Sequence, residues 1–340
     1  MSDRRGVATA GTWCVDFNKT IAAWPAEDTT NEILAMDRQG GGSGCNMAID
    51  LKRLDRAFPV ETMGLVGDDD NGRFLLAQCD AFGVERKGLV GLPGGVTMTT
   101  DAFNVSATGR RTHFFHQGVA ALMSPENFDF SRSRARFLHL GLPGAHARMD
   151  APWRGEANGW VATLRAARRW GLAANLELIS NSREKVGALA RPCLPHLDLL
   201  IVNDFEIGAL ADVETRDSSG AKPKAIARAV DAALSLGAMR LVVAHFPDGA
   251  IAATREGGRF ALGSLAMPKE AVAGVNGAGD AFAAGMLYAV HEGWPIEDGL
   301  RLAHACAAAS MRAVSTTAGV APVAECLALA KKWGLRPAPA

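Results

Sequence analysis

Short runs of apolar residues alternate along the chain with amphipathic stretches. Residues 6–15 read as a buried strand ending in Asp16, and residues 60–66 as another. Between them Met47, Ala48, Leu51, Leu54 and Phe58 recur at helical spacing, with Lys52, Arg53, Asp55 and Arg56 on the other face, so a helix follows the glycine cluster at 39–46. A helix is predicted over 73–82 and stopped by Gly83. Further on, strands near 137–142, 172–177, 197–202 and 240–245 alternate with helices near 160–170 and 222–236, closed by Gly171 and Gly237. Such alternation gives a mostly parallel sheet covered on both faces. Two segments break the pattern: 19–38 has no helical period and reads as short strands, and 95–105 with 111–116 form a half-exposed hairpin turned at 106–110. They form a separate small sheet. An Ala-rich helix at 303–313 and a frayed Pro/Ala tail close the chain.

Composition narrows the classes. At 340 residues the chain makes either two domains or one large α/β unit with a small appendage. Its 36 basic and 36 acidic residues are scattered, which argues against a nucleic-acid or anionic-membrane partner. No apolar stretch reaches the roughly 18 residues needed to span a bilayer, and the first fifteen residues run straight into Asp16, as a first strand does and a signal peptide does not. Six separated cysteines without a C-x-x-C pair suit reduced thiols in a cytoplasmic protein.

The chemistry concentrates between Ala273 and Tyr288. Gly277, Ala278 and Gly279 let backbone approach a ligand, and the apolar run from Ala281 starts a helix whose first turn holds Asp280. Unpaired N–H groups and the helix dipole there favour an anion, and a carboxylate beside an anion can take a proton from an attacking hydroxyl. Asp280 as a plain helix cap fits the same pattern. The cluster at 39–46 reads as a loop feeding a helix; the fingerprint G-x-G-x-x-G of a dinucleotide fold is absent after the strand ending at Val15. Asp68, Asp69 and Asp70 lack calcium-loop spacing and decorate a solvated turn.

Gly41-Gly42-Ser43-Gly44-Cys45-Asn46 and Asn276-Gly277-Ala278-Gly279-Asp280, about 235 residues apart (42 to 277), resemble the two signatures of the ribokinase-like carbohydrate kinases, the PfkB family. Asp16, the run from Gly67 to Gly72, and Asn203-Asp204-Phe205-Glu206, similar to that family's N-x-x-E motif, follow in the family's order, so the resemblance covers nearly the whole chain. It implies a three-layer α/β/α core with a mostly parallel sheet and a small β lid. The kinase domain would span 1–335, with core 1–15, 39–95 and 118–335, lid near 16–38 and 96–117, and tail 336–340.

The resemblance also implies ATP-dependent phosphorylation of a sugar hydroxyl, with a nucleoside kinase or a catalytically idle sugar sensor as alternatives. It makes Asp280 the general base and Gly277, Ala278 and Gly279 the anion hole. Asp16, Gly42 and Asn46 become acceptor-site residues; Asn203, Gly249 and Asn276 nucleotide contacts; and Glu206 the Mg²⁺ ligand. Three positions depart from the family. Gly274 stands where a carboxylate is associated with a monovalent-cation site, Ser43 where ribokinase has Lys, and His245-Phe246-Pro247-Asp248-Gly249 where a small turn is usual. His245 reads as a strand-end histidine without a role. Trp13, Phe17, Asn18, His113, Phe115 and His116 are candidates for substrate selection, and the exposed edges of the lid offer a homodimer contact.

Overall fold

The computed structural model describes residues 4–108 and 110–340, so the chain start and Gly109 of the predicted 106–110 turn lie outside the described residues. In chain order the strands are β1 (Val7–Gly11), β2 (Cys14–Ile21), β3 (Ala35–Gly41), β4 (Val60–Gly67), β5 (Glu85–Leu92), β6 (Thr99–Val105), β7 (Arg111–His116), β8 (Phe137–Gly141), β9 (Ala173–Leu176), β10 (Leu199–Asn203), β11 (Arg216–Asp217), β12 (Gly220–Ala221), β13 (Leu241–Phe246), β14 (Gly249–Thr254) and β15 (Arg259–Gly263). The helices are α1 (Ser43–Leu54), α2 (Asp70–Phe82), α3 (Ala147–Asp150), α4 (Gly159–Arg169), α5 (Arg183–Ala190), α6 (Asp204–Ala211), α7 (Pro223–Leu236), α8 (Ala278–His291), α9 (Ile296–Ser310) and α10 (Val323–Trp333).

Nine strands form the main sheet in the order β15-β14-β13-β10-β9-β8-β1-β4-β5, parallel from β13 to β5 and antiparallel in the edge pairs β13–β14 and β14–β15. Successive residues of its strands feed opposite cores. Leu200 and Val202 pack with Trp160, Leu164, Ile207 and Ile226 on one side, while Leu199 and Ile201 pack with Phe282, Leu287, Leu300 and Leu302 on the other. That two-sided burial is why these strands carry continuous apolar runs. Strand order reverses at β1, which lies between β4 and β8. The crevice beyond the carboxyl ends of β1 and β8 is therefore where such a sheet binds ligands.

The predicted 6–15 strand is two strands. At Gly11 (φ +114) the chain lies so close to Gly141 that a Cβ would meet the Gly141 carbonyl at 1.6 Å. After Thr12 and Trp13 it leaves the main sheet as β2, so Asp16 lies inside β2 of the small sheet and does not end the first strand. The small sheet has the order β3-β2-β6-β7, antiparallel except for the parallel pair β2–β6. It spans 14–21, 35–41, 99–105 and 111–116, close to the expected 16–38 and 96–117. The glycine cluster at 39–46 is not a loop: β3 runs to Gly41, and α1 begins at Ser43. Where fraying was expected at the C-terminus, the Arg336 N–H donates to the Ser264 carbonyl and its guanidinium pairs with Asp248. Asp69, one of the three turn aspartates, caps α2, accepting from the Gly72 N–H at 2.8 Å and from Thr97.

Candidate functional site

Two helices start at the crevice with glycines and no side-chain cap. α1 follows Gly42 (φ +87) and α8 follows Gly277 (φ +72). Each glycine is required. A Cβ on Gly42 would meet Thr12, and one on Gly277 would fall 2.1 Å from the Thr316 carbonyl. Uncapped first turns leave N–H groups without helical partners, so both N-termini present donors and the positive end of a dipole. The Thr316 N–H in turn donates to Gln39 Oε1 of β3, joining the small sheet to the segment that supports Gly277.

Asp280 lies where the two helices meet. Asn46 Nδ2 donates to Asp280 Oδ2 at 2.8 Å, and Asn46 Oδ1 is buried with no partner among the described residues. The Asp280 carboxyl is pushed up to about 7, first by burial and then by the neighbouring Glu177 carboxylate. Asp16 approaches from the small sheet. Its carboxyl is pushed up to about 6 by burial, opposed by hydrogen bonds from Cys14 and Thr100. Gly41 is the close-approach position that admits it, since a Cβ there would lie 2.1 Å from Asp16 Oδ2. By strand alternation and register, Asn18, Asn104, Arg111, His113 and Phe115 share the face of Asp16, whereas Phe17 and His116 lie on the other. Asn18 Nδ2 and Asn104 Oδ1 are buried and have no partner among the described residues. Trp13 is spent on the core, its indole N–H donating to Thr62. Buried polar atoms are nearly always paired, so orphaned ones gathered on one face mark a place for a polar ligand.

On the other side of Asp280 a cleft of about 730 Å³ opens between Asn203 and α9, with Ala278 and Gly279 in its wall. Phe282, Met267, Val272 and Met311 give it an apolar slot, and Lys269, Arg216 and Arg336 stand around it. That volume suits a nucleotide-sized molecule. His245 lines the cleft, its ring 4.8 Å from that of Phe282, and burial holds it neutral by pushing it down to about 4. His304 on α9 also lines it, with Nε2 unpartnered. Gly249 does not. It starts β14 facing away, and a Cβ there would strike the Leu262 carbonyl at 2.5 Å, so its glycine answers to sheet packing.

Asn203 and Glu206 form a capping box on α6. Asn203 Oδ1 accepts from the Glu206 N–H, Glu206 Oε2 accepts from the Asn203 N–H, and Glu206 Oε1 accepts from Ser180. Burial pushes the Glu206 carboxyl up to about 7. Among the described residues no three His, Cys, Asp or Glu side chains cluster as a metal cage. The Asn276 carbonyl accepts from Ser310 at 3.4 Å. Gly274 packs against the backbone of Ala313 and Val314, and a guanidinium nitrogen of Arg111 lies beside it.

Sequence reasoning missed His139, Asn175 and Glu177. His139 Nε2 lies 2.7 Å from Glu177 Oε2 and its Nδ1 3.1 Å from Asn175 Nδ2. Glu177 terminates a predicted strand, so the strand-end rule applied to Asp16 would have singled it out.

A three-layer α/β/α sheet with a four-stranded appendage, and a carboxylate between a polar face and a nucleotide-sized cleft, describe a small-molecule kinase. The chain belongs to the pfkB family of carbohydrate kinases, whose profile it matches over residues 6–323. It is 26% identical over 305 residues to 5-dehydro-2-deoxygluconokinase of Geobacillus kaustophilus, covering 87% of this chain and 85% of that protein. It is 27% identical over 325 residues to the ATP-dependent ribose-1-phosphate kinase of Halopiger xanaduensis, covering 95% and 96%. The fold matches ribokinase from Thermotoga maritima with a TM-score of 0.77 at 18% identity (96% and 99% covered), and Arabidopsis thaliana ribokinase complexed with ribose and ATP with 0.75 at 20% (97% and 99%). No helix among the described residues is long and apolar enough to cross a membrane.

Proposed function

We propose that the chain transfers the γ-phosphate of ATP to a hydroxyl of a sugar or sugar derivative, with Asp280 as general base. The observation that carries this reading is the position of Asp280, between the unpartnered polar atoms of Asn18, Asn46 and Asn104 and the cleft walled by Ala278 and Gly279. A polyol has the donors and acceptors those orphans lack. Asp16 and Asn46 would orient it, and the small sheet would act as a lid that keeps water out.

When bound, Mg-ATP supplies the phosphoryl group and an ion that neutralises its charge. The cleft fits the nucleotide, its apolar slot taking the base, while the N–H groups of the first α8 turn face the phosphates. One buried carboxylate with an amide beside it fits Mg²⁺ that keeps most of its waters, so Glu206 and Asn203 would hold the ion through water. Asn46 donates to Asp280 and steers its free oxygen toward the acceptor. Asp280 then removes the hydroxyl proton as the oxygen attacks, a contribution of roughly 10²–10⁴ in rate.

A nucleoside acceptor is favoured by one feature, Phe115 on the Asp16 face, which could stack on a base. The outer face of the lid carries the aromatic cluster Trp24, Phe103 and Phe114 between two open edges, and a second copy would pair there; sedimentation velocity reads that state.

A coupled ADP-release assay with Mg-ATP against a panel of sugars, sugar acids, sugar phosphates and nucleosides tests the reading. Turnover should appear with one class and fall by several hundred-fold in Asp280→Asn with acceptor binding retained. A protein that binds sugar but never turns over ATP would be the idle sensor.

A further inference from the structure

The face of the small sheet that carries Asp16 ends in a cation with no anion beside it. The four strands hold Lys19, Arg38 and Arg111, and alternation puts Arg111 alone of these on the Asp16 face. Lys19 pairs with Asp101 on the opposite face; there too Arg38 donates to the Asp70 carbonyl and lies over Phe74. Arg111 instead reaches across to the core. Its Nη2 lies beside Gly274, 3.4 Å from where a Cβ would stand, next to the backbone of Ala313 and Val314. It is half-buried there, yet no carboxylate among the described residues offsets the burial that pushes its pKa down. An acidic residue in place of Gly274, whose backbone lies outside the left-handed region, would close an ion pair within the chain. Glycine leaves the guanidinium open.

Asn18 supplies a second, independent sign of a ligand. It is 6% exposed, and its Nδ2, which can only donate, has no partner among the described residues. Register orders these groups along the face: Asp16 is opposite Thr100, Asn18 opposite Ala102, and Arg111 opposite Asn104. The face therefore grades from acid, near Asp280, to base. Its other acid, Asp37, lies on the far edge strand β3 and accepts from the Gln39 amide.

We propose that Arg111 is a specificity-determining residue that selects an acceptor carrying an anionic group, a carboxylate or a phosphate monoester, remote from the hydroxyl that is phosphorylated. This rests on the Asp16 face being the acceptor site of the kinase reading. A guanidinium pairs bidentately with either group, and one taken out of water without an anion is costly. A neutral sugar under a closed sheet leaves that charge uncompensated. An anionic sugar bound the other way round would set its charge against Asp16 and Asp280, so the same gradient fixes orientation. The nucleotide phosphates are the other anions at hand, but the cleft that fits them is walled by Val275, Ala278 and Met311, and Arg111 is not part of its wall.

The test is ADP release at saturating Mg-ATP with acceptors in matched pairs: aldonic and keto-aldonic acids against their alditols or parent sugars, and sugar phosphates against the free sugars. In wild type, kcat/KM should favour one anionic member over its neutral counterpart by about 100-fold, and the pair that shows it separates carboxylate from phosphate. That preference should shrink by about 10- to 100-fold in Arg111→Gln and in Gly274→Asp, mostly through acceptor KM, with the KM for ATP within about twofold. Arg111→Lys should keep part of it, because the charge remains and the fork is lost. Added salt should raise the KM of the anionic acceptor in wild type and leave it flat in Arg111→Gln. Melting curves verify that each variant folds.

Calorimetric titration of the same pairs without nucleotide separates this inference from the kinase reading. An anionic sugar that binds wild type about 10-fold more tightly than Arg111→Gln but is never phosphorylated upholds the role of Arg111 and sinks only the kinase reading. Four results overturn the inference. They are a wild type that prefers neutral acceptors, an anionic arm that neither binds nor turns over, a preference unchanged in Arg111→Gln, and a rise in the KM for ATP in place of that for the acceptor. The third would make Arg111 a latch between sheet and core; the fourth would assign it to the nucleotide phosphates.

Discussion

Gly41→Ala is the most discriminating single substitution at the acceptor side. Gly41 ends β3 outside the left-handed region, so alanine adds no backbone strain there. What it adds is a methyl group at 2.1, 2.4 and 2.7 Å from the three carboxyl atoms of Asp16. To restore an ordinary contact of 3.4 Å the carboxylate must retreat by about 1.3 Å (3.4 − 2.1), leaving the positions where Cys14 and Thr100 bond it. Displacement of a positioning group by about 1 Å can cost around 10²-fold. We expect kcat/KM for the acceptor to fall about 10- to 100-fold, or about 1.4–2.7 kcal/mol, with the KM for ATP within about twofold of wild type. The assay is ADP release with the acceptor varied at saturating Mg-ATP, alongside a melting curve to verify folding. Because the damage passes through Asp16, Gly41→Ala should have little further effect in an Asp16→Ala background, a strongly non-additive cycle. An unchanged acceptor kcat/KM in Gly41→Ala, or simple additivity with Asp16→Ala, would refute the claim that Gly41 exists to admit Asp16.

Three other outcomes follow from the geometry. Gly277→Ala should destabilise the protein by more than about 2 kcal/mol in denaturant titration, because alanine at φ +72 is strained and its methyl meets the Thr316 carbonyl. Asp50 is fully buried, neither carboxyl oxygen has a partner among the described residues, and burial holds its carboxyl well above the usual range. In the unfolded chain it ionises near pH 4, so stability falls by about 1.36 kcal/mol per pH unit above that until the folded group ionises; Asp50→Asn should melt progressively higher than wild type from pH 5 to 8. Removing His304, whose Nε2 has no protein partner, should raise the KM for ATP without moving that for the acceptor; equal changes in both would place His304 outside the nucleotide slot.

The main sheet was legible because its strands are buried on both faces and its helices are amphipathic, two patterns that survive in a single sequence. The edge strands β5, with the half-exposed run from Glu85 to Leu92, and β15 were not, since exposed edge strands lack a continuous apolar run. The 6–15 strand was misjudged because apolar residues continue from β1 into β2 across Gly11, where the turn is set by contact with Gly141, far away in sequence. At the crevice the structure brings together Asp280, Gly277, Asp16 and Asn46, which the motifs singled out. Gly249, singled out as a nucleotide contact, packs against the Leu262 carbonyl and does not line the cleft; a glycine required by sheet packing looks the same in sequence as one required by a phosphate. Glu177, His139 and Asn175 come from adjacent strand ends, and only β8–β9 pairing brings them together.

The backbone of Thr316 is held from two directions, its N–H by Gln39 of the small sheet and its carbonyl against Gly277. A movement of that sheet onto an acceptor would reach the turn that opens α8 through the backbone of Thr316. Energetically the two substrates are then not independent guests. Whatever factor the acceptor adds to nucleotide affinity, the nucleotide must return to the acceptor. Cutting the Gln39 contact should weaken that coupling, so that each site fills with less regard to the other.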